Sequence, residues 1–117
     1  MRDFNPPFAI VPAIPGGARQ LYNIGIPCRL GKDPSDDDMY IVPVHAVAVE
    51  QRLKDYARRN QLDPIAYIRA DNSAYLEAPS TGMRVEIGTF REITKAQADL
   101  TSYYVRDLHT NRYYDID

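Results

Sequence analysis

The sequence predicts an α+β fold in which a small antiparallel sheet packs on one main helix, preceded by an extended proline-rich N-terminal arm. Three observations carry that expectation. Seven of the nine prolines fall within the first 43 residues, where each removes a backbone donor and fixes φ. One stretch, residues 45–61, repeats its apolar side chains at helical spacing. Beyond residue 64 the apolar side chains alternate instead, in short runs bounded by turn residues. A length of 117 residues allows one domain, here divided into an arm with an acidic loop over 1–39 and a compact part over 40–117.

The opening "NPPFAIVPAIPGG" reads as extended chain, because the residue before each proline is itself pushed out of the helical region. It carries Phe4, Phe8, Ile10 and Ile14, too much apolar surface for a solvated linker. Those side chains are therefore expected to be covered, either by the rest of the chain or by a neighbouring subunit. "KDPSDDD", residues 32–38, reads as an exposed loop through proline and aspartate turn chemistry. Its aspartates lack the alternate spacing and the later bidentate glutamate of a calcium loop.

"YIVPV" is a short strand that Pro43 confines to an edge or an end. The helix over 45–61 places Ala46, Val49, Leu53, Tyr56 and Ala57 on one side, with Glu50 four residues before Lys54. Pro64 bars its continuation, and two short strands follow at about 65–69 and 74–77 around Asp71 and Asn72. In "MRVEIGTFREI", Met83, Val85 and Ile87 share one face, Arg84 and Glu86 the other, and a bulge at Gly88 restores the phase for Phe90 and Ile93. Thr94 with Gln97 forms a capping-box signature for a helix over about 95–101. Two tyrosine-rich runs around His109-Thr110-Asn111 then predict a terminal hairpin.

The chemistry-bearing residues are few. Cys28, His45 and His109 are the only classical nucleophile and imidazole groups, and they stand in no catalytic or zinc spacing. Gly16-Gly17 lacks the lysine of a phosphate loop. One cysteine excludes an internal disulfide. The composition thus points to no cofactor, no metal and no catalytic set. A net charge of −2 argues against nucleic acid as the main partner. No run of 18 apolar residues marks a membrane span, and the start lacks the basic character of a secretory signal, so synthesis in the cytoplasm is expected.

What remains is surface. Tyr103, Tyr104, Tyr113 and Tyr114 crowd the last fifteen residues, and tyrosine concentrates at interfaces because it offers a large amphipathic contact area at low entropy cost. "DLHTNRYYD", residues 107–115, resembles one unit of the tyrosine-aspartate repeats of large bacterial shell-forming toxins. The match does not recur and implies shared hairpin chemistry, with no family attached. The expected function is a non-enzymatic structural or adaptor subunit of a larger protein assembly. By association, a bacteriophage virion is the setting, with the chain as a minor capsid, cement or connector protein. The binding residues would be Phe4, Phe8, Ile10, Ile14 and the four terminal tyrosines. The alternative is a small regulatory protein that grips a protein or nucleic acid through Arg52, Lys54, Arg58 and Arg59 on the main helix.

Overall fold

The computed structural model describes residues 6–117, so Phe4 lies outside the described residues. Its eight strands are β1 (Phe8–Pro12), β2 (Arg29–Lys32), β3 (Asp38–Pro43), β4 (Ile65–Ile68), β5 (Ser73–Glu77), β6 (Arg84–Ile93), β7 (Val105–Asp107) and β8 (Arg112–Ile116). Three helices accompany them, α1 (Gly17–Asn23), α2 (Val47–Arg59) and α3 (Lys95–Asp99). All neighbouring strands are antiparallel, and they run β1-β3-β2-β7-β8-β6-β5-β4 around a closed barrel. The pairing of β4 with β1 closes it.

This corrects the expectation of a small sheet on one main helix with an arm before it. The segment read as an arm supplies β1, β2 and the start of β3, and β1 is bonded on both sides. Ala9 stands opposite Val42 of β3 and Tyr67 of β4. The prolines that argued against a sheet sit at strand ends, where a missing donor costs the ladder little. Pro12 ends β1 and Pro43 ends β3, while the Pro7 carbonyl accepts from the Val44 amide at 3.1 Å.

Side chains alternate across the barrel wall into two cores. Phe8, Ile10, Met39, Ile41, Ala66, Ile68, Ala74, Phe90, Val105 and Tyr114 fill the interior. Ala9, Val11, Tyr40, Val42, Ile65 and Tyr67 point the other way, into a second cluster with Leu21 of α1 and Leu53, Tyr56 and Ala57 of α2. Because β1, β3 and β4 are buried on both faces, "FAIV", "YIV" and "IAYI" are continuous apolar runs rather than alternating ones. The helix pair is held close at Gly17, where an added Cβ would meet the Tyr56 hydroxyl at 2.6 Å. The Tyr40 hydroxyl fixes α1 to β3, accepting from the Ala18 amide at 3.0 Å and donating to the Ile14 carbonyl at 3.2 Å.

Both longer helices end in the same way. After α1 the Ile26 amide reaches the Leu21 carbonyl and Gly25 reaches Tyr22, with Gly25 at φ 79. After α2 Leu62 reaches Ala57 and Gln61 reaches Arg58, with Gln61 at φ 57. This is the Schellman pattern, in which a left-handed residue lets the chain bond its last free carbonyls.

Several local expectations agree with the structure. Thr94 and Gln97 make the reciprocal capping box of α3, β7 and β8 form the terminal hairpin, and the β5–β6 register shifts between Ala74 and Tyr75, opposite Ile87 and Gly88.

Two outcomes test this fold. Since β1 is bonded on both sides, the amides of residues 8–11 should exchange as slowly as those of β3 and β4 by hydrogen-exchange mass spectrometry; rapid exchange confined to β1 would show that the barrel is open there. Gln61→Gly should raise stability by about 0.5–1 kcal/mol, because glycine takes the left-handed conformation without the Cβ penalty; denaturant unfolding measures it.

Candidate interaction surface

Of the residues expected to bind a partner, the structure places Phe8, Ile10 and Tyr114 inside the barrel, at 2%, 7% and 5% exposure. Phe8 packs edge-on to Phe90 with ring centres 5.1 Å apart, and Phe90 stacks on Tyr114 at 5.0 Å. Ile14 packs against the outer core. Tyr104 and Tyr113 meet edge to face across the terminal hairpin at 5.4 Å, leaving Tyr103 as the one clearly exposed tyrosine of that set, at 41%.

The hairpin turn is built on Asp107, which is fully buried. Its carboxylate accepts from Arg29 Nη1 at 2.9 Å, from the His109 amide at 2.9 Å and from Thr110 Oγ1 at 3.0 Å. A buried carboxylate that gathers three donors serves the turn and the β2–β7 seam. The acidic loop is likewise self-contained, since Asp33 Oδ1 accepts from the Ser35 amide, the Ser35 hydroxyl and the Asp37 amide. Among the described residues no cluster of three or more His, Cys, Asp or Glu is arranged to hold a metal.

Cys28 and His109 line one shallow depression with Tyr22, Leu30 and Leu108. Burial raises the Cys28 thiol above its ordinary pKa. An imidazole-activated nucleophile has the opposite shift. The basic residues of α2 are largely engaged by the chain itself. Lys54 Nζ lies 3.3 Å from Glu77 and 3.8 Å from Glu50, Arg58 bonds the Pro79 carbonyl and Asp55, and Arg52 bonds the Ile24 carbonyl.

The unaccounted-for surface lies elsewhere, on β6. Only Phe90–Ile93 of this strand pair with β8, and Thr89 exchanges both amide bonds with Asp117 at 2.9 Å. From Arg84 to Gly88 the strand has β5 on one side and, among the described residues, no strand on the other. This half projects from the barrel wall as an open edge. The sequence correctly places Met83, Val85 and Ile87 on one face, but that face is not core: Met83 is 69% exposed and Val85 58%. Leu76, opposite Val85, and Ile87 continue the strip into the barrel interior.

The reverse face of the same hairpin is locked. Arg69 grips both carboxylate oxygens of Glu86, with Nη2 to Oε2 at 2.7 Å, and this holds the Glu86 carboxyl below its usual pKa. Arg84 Nε donates to the buried Glu77 at 2.7 Å. Both guanidinium groups lie over the Tyr75 ring, 4.3 and 4.8 Å from its centre, and Tyr75 stacks on Tyr67 at 5.3 Å. Salt bridges this exposed contribute little individually, but a bidentate pair and two cation–π contacts on one ring fix the hairpin's shape. No helix among the described residues is long and apolar enough to cross a membrane.

Cys28 should react with iodoacetamide at pH 7.5 several-fold more slowly in the folded chain than in urea, since burial suppresses its thiolate; faster reaction when folded would reveal an activated nucleophile. Comparison with protein families, with curated proteins and with solved structures finds no match for this chain.

Proposed function

We propose that this chain is a non-enzymatic structural or adaptor subunit that acts through protein–protein contact. One observation carries the reading, the strip of Met83 and Val85 on the open half of β6. A protein of this size normally buries or breaks an apolar strand edge, because an unpaired edge with exposed apolar side chains recruits other chains. Here Met83 and Val85 stay exposed beside the bulge at Ile87–Gly88, and the back of the strand is braced by Arg69, Arg84 and Tyr75. A large assembly such as a bacteriophage particle is the setting that best suits a small braced unit of this kind. The rival reading through α2 is less supported, since Arg52, Lys54 and Arg58 are already bonded within the chain.

Sedimentation of the untagged protein from its native source tests this. The chain should travel in a particle larger than its own 13.3 kDa that survives 0.5 M salt and is lost with Val85→Lys. Apolar burial tolerates salt, whereas a phosphate-bound complex loses affinity steeply with it. A monomer, or a nucleic-acid complex that salt disperses, would overturn the proposal.

A further inference from the structure

The open half of β6 is complementary to itself. Its sequence, Met83-Arg84-Val85-Glu86-Ile87, reads apolar, positive, apolar, negative, apolar. We propose that this edge pairs with the same edge of a second copy of the chain, antiparallel about a two-fold axis at Val85. The proposal rests on the protein-contact reading above and names its partner.

The backbone is set for this register. The Met83 carbonyl accepts from the Ala78 amide at 2.9 Å, so Met83 and Val85 turn their polar backbone groups toward β5. Alternation along an antiparallel ladder then turns those of Arg84 and Glu86 outward. Around a two-fold axis at Val85, Arg84 faces Glu86 of the second copy, and each such pair exchanges both N–H···O bonds. Val85 faces Val85 of the second copy in the close, non-bonded position, and Met83 faces Ile87 of the second copy. The groups that the edge leaves free are the groups this register uses.

The side chains agree. On one face every charge meets its opposite, and the row runs Arg69, Glu86, then Arg84 and Glu77 of the second copy, alternating in sign. On the other face Leu76, Met83, Val85 and Ile87 of both copies form one apolar band. Opposite charges directly across a ladder stabilise it and like charges oppose it. An axis at Glu86 or at Arg84 would set like charges face to face, so the sequence selects one register. Charged side chains on an edge discourage pairing, but opposite charges set directly across the ladder attract. A two-fold contact of this kind closes on itself and yields a dimer.

The test uses the purified chain in sedimentation velocity and native mass spectrometry across the micromolar range. A monomer–dimer equilibrium is expected, and Val85→Lys should weaken it at least tenfold while the melting temperature stays within two degrees. Arg84→Glu and Glu86→Arg should each be monomeric alone and form a heterodimer when mixed, since mixing restores opposite charges at both pairs. In a Cys28→Ser background, Val85→Cys should form an intermolecular disulfide on mild oxidation and Arg84→Cys should not, because only the axial residue faces its own copy. A chain that stays monomeric, or a dimer indifferent to Val85→Lys and to charge mixing, overturns self-pairing. If the larger native particle is still lost with Val85→Lys in that case, the edge binds a different protein and the contact reading stands; if no such particle exists, both fail.

Discussion

Everything in this fold depends on β1 lying between β3 and β4. With Ala9 bonded into a ladder on each side, five residues close the barrel and divide the apolar side chains into an interior core and a core beneath the helices. Ala9 and Val11 face α1 and α2, while Phe8 and Ile10 face the barrel axis. Each fully buried Val, Ile or Phe contributes about 1.5–3 kcal/mol, so this strand serves both cores at once. With the N-terminal segment built in this way, the helices have a wall to pack on and the interior has no open side at β1.

The candidate surface arises from the same closure, because the barrel is sealed by only part of β6. The strand has ten residues, and β8 pairs with its last four. The remainder follows β5 beyond the wall, where Glu77, a buried carboxylate reached by Lys54 and Arg84, ties the hairpin to α2. The charged groups of that region hold its position. Position and rigidity are what an interaction surface requires, since ordering a floppy strand on binding would cost affinity.

Much of the local structure was legible in the sequence, and the global fold was not. The helix at 47–59, the Thr94 capping box, the terminal hairpin and the bulge near Gly88 all follow from short-range rules of period, cap and turn. The barrel depends on β1 meeting β4 more than fifty residues away, which no local pattern announces. "FAIVP" was also disguised, because burial on both faces removes the alternation by which a strand is recognised and its prolines suggest an extended arm. On β6 the alternation was read correctly, but periodicity reports a shared face without reporting what lies opposite it, so it did not tell whether Met83 and Val85 are covered. Among the described residues, β8 stands opposite only Phe90–Ile93, and Met83 and Val85 are exposed. Phe8, Ile10 and Tyr114, expected to face a partner, are buried in the barrel, and an aromatic or aliphatic side chain looks the same in a sequence whether it fills a barrel or an interface.

The offset at Ile87–Gly88 sets how this hairpin can evolve. One extra residue there lets β6 present Phe90 to the interior and still carry Arg84 and Glu86 on the outer face beside Glu77 and Arg69. Substitutions along the projecting half alter one contact at a time, so selection can tune them gradually. Loss or gain of a single codon within it would instead rotate every side chain from Met83 to Glu86 to the opposite face, separating Arg84 from Glu77 and Glu86 from Arg69 in one step. Descendants of this chain should therefore vary freely in residue type along the hairpin while keeping its length constant.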